Sequence, residues 1–163
     1  MTLLANFLAI AIVLNIIEST IPIIPVPGAK LGFANVVTLI VLYVYSFKDA
    51  AMLTITRVLL VSLLTGKLLS PVFYMSMSGA ILSMLAMGFF KKLNFFGILG
   101  VSILGSIFHC IGQIIGGYFV IGSYAIVLYL PIMLFLSIPA GVVTGIITER
   151  FLKIWQTWNK DLN

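Results

Sequence analysis

Charge is scarce in this chain: Lys, Arg, Asp and Glu make up 8% of its 163 residues, against roughly 25% in a soluble globular domain. With 62% hydrophobic residues and a mean hydropathy of +1.26, an ordinary soluble domain is excluded. A disordered chain is excluded too, because it cannot carry that much apolar surface. Only four carboxylates occur, Glu18, Asp49, Glu149 and Asp161, and they are scattered. Chemistry that holds magnesium against a diphosphate through clustered aspartates has no counterpart here. No Gly-rich loop ends in Lys-Ser/Thr, which excludes nucleotide hydrolysis by a phosphate-cradling loop, and no spacing of Ser, His and Asp marks a nucleophile. The single cysteine, Cys110, rules out an intrachain disulfide. Segments of alternating polarity about 10 residues long, the mark of a membrane barrel, are missing as well.

What is present is apolar and continuous. Runs such as Val36 to Tyr45 and Ile126 to Ile138 point to an all-α integral membrane protein. At about 20 residues per span, the chain has room for six or seven spans and little else. Breaks at Pro, Gly and Lys divide it into six, 3–21, 31–47, 50–69, 71–90, 95–121 and 125–152, in one transmembrane domain over 1–163. The first run lacks a basic leader and a small-residue cleavage site, so it reads as a span rather than a signal peptide. Pro22, Pro25, Pro27 and Gly28 stop it. Lys48-Asp49 makes the turn before span three, and Pro131 and Pro139 are expected to kink or break span six. The net charge of +5 reads as topology rather than nucleic-acid affinity. With both termini cytoplasmic, Lys48, Lys91, Lys92, Arg150, Lys153 and Lys160 lie inside, whereas Lys30 and Lys67 lie outside. Trp155 and Trp158 then follow span six as anchors at the inner interface.

Polar residues within apolar spans are informative, because each costs free energy in hydrocarbon unless it faces the bundle interior, a partner or water. Glu18 and Asn35 fall near the outer ends of spans one and two, Arg57 in the middle of span three and His109 in span five. Gln113 follows His109 by one turn on nearly the same face. All share one half of the bilayer, where a cavity open to the outside would collect them. Plainer readings stand beside this one. Glu18 and Arg57 can neutralise each other as a packing pair, His109 and Gln113 can be interhelical glue, and Lys30 and Lys67 can snorkel from helix ends. Met75 and Met77 read as packing rather than metal or haem ligands. Ala5 and Ala9 form a small-xxx-small face on span one, and Gly112 to Gly116 another on span five.

Glu18 before the proline-rich loop, Pro27-Gly28-Ala29-Lys30-Leu31-Gly32-Phe33-Ala34-Asn35-Val36-Val37-Thr38, Phe47-Lys48-Asp49-Ala50, Arg57-Val58-Leu59-Leu60, Ser78-Gly79 and His109 to Gln113 occur in this order. Together they resemble the Gx transporter family, whose members are often labelled heptaprenyl diphosphate synthase component I. The resemblance covers nearly the whole chain. In that family Asn usually follows His109, where this chain has Cys110. The family looks like a relative of the substrate-binding S components of energy-coupling factor transporters. That resemblance implies a six-transmembrane-helix bundle that captures a vitamin-like small molecule from outside, with no intrinsic cofactor and no bound metal. It also implies a gate loop containing Pro22, Pro25, Pro27 and Gly28, and docking through Ala5 and Ala9 onto a transmembrane coupling protein driven by two ATPase subunits. Glu18, Lys30, Asn35, Arg57, His109 and Gln113 are the expected substrate-binding residues. Two alternatives stay open: a non-enzymatic accessory subunit of heptaprenyl diphosphate synthesis that positions a lipid substrate, and a haem uptake subunit using His109 with Met75 or Met77.

Overall fold

A computed structural model describes residues 2–20, 30, 32 and 34–161. Six α-helices run in sequence: α1 (Thr2–Thr20), α2 (Asn35–Val44), α3 (Phe47–Leu64), α4 (Pro71–Lys92), α5 (Ile98–Ile121) and α6 (Leu130–Asp161), the last preceded by a 3-10 turn at Tyr124–Tyr129. No strand occurs among the described residues. Three stretches are long and apolar enough to cross a membrane, Pro71–Lys92, Ile98–Ile121 and Tyr124–Trp158. Large apolar side chains face outward on them, including Phe119, Leu128 and Phe135 at 75–81% exposure, where water would penalise them and lipid does not. The chain is a membrane protein.

Helix ends follow local chemistry, and several differ from the sequence expectation. Lys48-Asp49 does not make a turn. The Ser46 hydroxyl accepts from the Asp49 N–H at 3.2 Å and donates to its carboxylate at 2.6 Å, so α3 starts at Phe47 and takes both residues into its first turn. Ser70 caps α4 with Pro71 in the first turn, where a missing N–H costs nothing. Gly122, at φ 69°, ends α5 in the left-handed conformation. Expected span two, 31–47, contains a helix of only ten residues, about 15 Å long. Every residue from Asn35 to Leu42 is buried, so α2 is a central strut with no lipid-facing stripe. Pro139 does not break α6, which is continuous to Asp161. Trp155 and Trp158 therefore lie within that helix rather than after it.

Close packing joins α4, α5 and α6. A Cβ at Gly112 would sit 2.6 Å from Ser78 O, and one at Gly141 would sit 2.7 Å from the Ile103 Cα. Only glycine allows these backbones to approach so closely. Ser102 Oγ bonds across to Gly141 O at 2.8 Å, and Ser83 Oγ to Gly105 O at 2.7 Å. At one end, Phe7 of α1 meets Tyr45, Phe151 and Trp155 at ring separations of 6.4, 5.9 and 6.4 Å. The Lys91 ammonium reaches Leu42 O there, at 2.6 Å. The N-terminal end of α1 and the C-terminal half of α6 thus lie at the same end of the bundle. Lys30, Gly32 and Ala34, just ahead of α2, and the connection around Lys67 lie at the other.

Candidate ligand site

At that second end, polar side chains from five helices converge beneath the segment leading into α2. Glu18 and Asn15, one turn apart on α1, approach from one side. Glu18 Oε1 accepts from the Gly32 N–H at 2.6 Å, and Asn15 Oδ1 accepts from the Lys30 ammonium at 2.6 Å. Lys30 is therefore turned inward and does not snorkel. From α3, Arg57 is 1% exposed; its Nη1 donates to Ala34 O at 2.5 Å and its Nη2 to Asn35 Oδ1 at 3.4 Å. Asn35 passes its own amide N–H on to Ser83 Oγ of α4 at 3.0 Å. The Gln113 amide of α5 brackets Lys30, accepting from its N–H at 3.1 Å and donating to its carbonyl at 3.0 Å in the orientation that satisfies both groups. Main-chain groups of Lys30, Gly32 and Ala34 thus bond the amide, the carboxylate and one arm of the guanidinium.

Glu18, Lys30, Asn35, Arg57 and His109 line one cavity with Asn15, Gly32 and Ser76. Its volume is about 10 Å³, room for no more than a single water. His109 is 4% exposed, and among the described residues neither ring nitrogen meets a hydrogen-bond partner; nor does Arg57 Nε. Buried donors and acceptors of this kind are normally paired, since each orphan costs about 1–3 kcal/mol. Two cationic side chains and one carboxylate give the cavity a surplus of positive charge, and Glu18 lies within electrostatic range of both Arg57 and Lys30. Burial lowers the Lys30 ammonium to about 8, with nearby Arg57 and Lys67 adding to the effect and Glu18 opposing it. The arrangement suits a small anionic group beside a hydrogen-bonding one.

Five of the six expected site residues line this cavity, and Gln113 reaches it only through the Lys30 backbone. Asn15, Ser76 and Ser83 were missed by sequence reading. Asn15 carried a signal, lying three residues before Glu18 in an apolar helix and hence on its face. The two serines carried none, because small hydroxyls are common in membrane helices and bond their own backbone cheaply. The expected open vestibule is not seen among the described residues, where Lys30, Gly32, Ala34 and Asn35 line the cavity. Pro22, Pro25, Pro27 and Gly28 of the expected gate lie outside the described residues. Ala5 and Ala9 are exposed on α1. Met75 packs with Cys110 and Ile114, and Met77 with Val58 and Phe73, in separate apolar clusters. Among the described residues, no three His, Cys, Asp or Glu gather to hold a metal ion.

No curated protein and no solved structure gives a significant match to the chain. A family profile does match, over residues 7–151, and its description is heptaprenyl diphosphate synthase component I. That match takes in α2 to α5 whole and most of α1 and α6. The chain belongs to the heptaprenyl diphosphate synthase component I family.

Proposed function

We propose that this protein is a six-span membrane subunit that binds a small, anionic, vitamin-like compound from outside the cell and hands it on to an ATP-driven partner. One observation carries the reading. Glu18, Lys30, Arg57 and His109 line one buried cavity, and among the described residues Arg57 Nε and both His109 nitrogens have no partner. A structural ion pair has no need of the unpaired imidazole beside it. In this reading, the groups of segment 30–35 stand in for the ligand when the site is empty. Lys30 and Arg57 take the ligand's anion, while Asn35 and His109 read its hydrogen-bonding edge. Both termini face the cytoplasm, in keeping with Lys48, Lys91, Lys92, Arg150 and Lys153 at their end of the bundle. Exposed Ala5 and Ala9 on α1 offer a close-approach face for a transmembrane coupling protein that works with two ATPases. Release then follows from a lower affinity in the docked, open state.

The family description, heptaprenyl diphosphate synthase component I, motivates a second reading, an accessory subunit that presents a lipid substrate for heptaprenyl diphosphate synthesis. Purification with native partners separates the two. Co-recovery of a coupling protein and ATPases is expected for uptake, and co-recovery of a soluble Asp-rich synthase for the accessory role. Direct titration of the purified protein with flavins, quinone precursors, haem and prenyl diphosphates tests the site itself. Saturable micromolar binding of one of these, lost in Arg57→Ala, is expected; no saturable ligand would count against uptake.

A further inference from the structure

We propose that a groove at the opposite end of the bundle, between the end of α2, the first turn of α3 and the last two turns of α4, binds an anionic phospholipid. The groove has a volume of about 550 Å³. Its floor is the Phe47 ring laid on Gly88, where a Cβ would come within 2.5 Å of the ring and force it out. Leu42, Leu85 and Phe89 form the walls, and Leu85 and Phe89, 48% and 60% exposed, open it sideways to hydrocarbon. Lys91, Lys92 and Asn94 form the rim, and no carboxylate lines it. The Lys91 ammonium is fixed there by Leu42 O at 2.6 Å and stands 4.8 Å from the centre of the Tyr43 ring, with further N–H groups left to donate.

Lysines at a helix end ordinarily snorkel to water and need no ligand. Here two of them overhang an apolar slot at the terminus of a membrane-spanning helix, the depth at which headgroup phosphates meet acyl chains. Charge and shape together select an occupant with a negative head and an apolar tail. A docked protein helix would leave both ammoniums uncovered, and free phosphate would leave the slot empty. A zwitterionic lipid neutralises its own phosphate. The phospholipid of the adjoining leaflet meets all of these demands.

Native mass spectrometry of the intact, detergent-purified chain tests this, by titration with phosphatidylglycerol and phosphatidylcholine of identical acyl chains. Phosphatidylglycerol is expected to be retained preferentially as a single bound copy. Lys92→Gln should weaken it about fivefold, Phe89→Ala should weaken it as well, and Lys153→Gln, at the same end but outside the groove, should not. Lys91 is left intact because its loss would also uncap Leu42 O. Equal retention of the two lipids would overturn the proposal. So would an equal loss in Lys153→Gln, which would mean diffuse surface charge, or full displacement by farnesyl diphosphate that phosphatidylglycerol cannot reverse.

Discussion

Arg57 holds the α2 entry in place and also offers the cavity an unpaired Nε, so its replacement separates two roles. Arg57→Ala orphans Ala34 O and should cost about 1–3 kcal/mol of stability while abolishing anion binding. Arg57→Lys should retain most stability but bind weakly, because an ammonium cannot reproduce the guanidinium fork. Thermal unfolding and ligand titration of both variants check this. If Glu18→Ala restores binding in the Arg57→Ala background, the two residues are only a packing pair. Lys30 gives a pH test. Its ammonium, lowered to about 8 by burial, is charged below that pH and neutral above it, so affinity for an anion should fall as pH rises from 7 to 9. Affinity flat across that range would remove Lys30 from the anion site. Gly32, at φ 86°, is a third point. A Cβ there would be 2.9 Å from Asn35 Nδ2, so Gly32→Ala should loosen the approach to α2 by about 1–2 kcal/mol and speed the labelling of a cysteine introduced at Ser76. The charged residues that line the cavity were legible in the sequence because each is anomalous in hydrocarbon. Several of the bonds around the cavity were not, because main-chain groups of Lys30, Gly32 and Ala34 make them and any sequence carries those groups.

At the level of the helices, legibility depended on whether a boundary had a chemical marker. Pro71 and Gly122 fix the start of α4 and the end of α5 where the sequence puts them. The start of α2 has no such marker. Residues 31–34 are nearly as apolar as the helix that follows, and hydropathy does not show where within such a run the helix begins. Pro139 was misleading, since neighbouring helices let a membrane helix carry a proline without ending. The glycine face of α5 was legible and lies against α4, where Gly112 meets the Ser78 carbonyl and Gly116 the Tyr74 carbonyl and Ser78 side chain. Gly112→Leu should therefore force α4 and α5 apart. A loss of about 3 kcal/mol or more, at the upper end of overpacking costs, is expected in thermal unfolding in detergent. An unchanged unfolding temperature would mean the helices do not pack at this distance in the membrane.

For the whole molecule, α4, α5 and α6 are joined by glycine contacts, whereas the cavity lies where α1, α2 and α3 meet them through polar groups. Opening by movement at that seam leaves the glycine-packed half intact. Uptake requires water to reach the cavity from the outer face. Ser76 lines it and is 6% exposed, so a single cysteine at that position, in a Cys110→Ala background, reports directly on access. In sealed vesicles of defined orientation, Ser76→Cys should react with a membrane-impermeant maleimide added on the side opposite the termini, and a bound ligand should slow the reaction. Reaction only from the side of the termini, or only after denaturation, would contradict it.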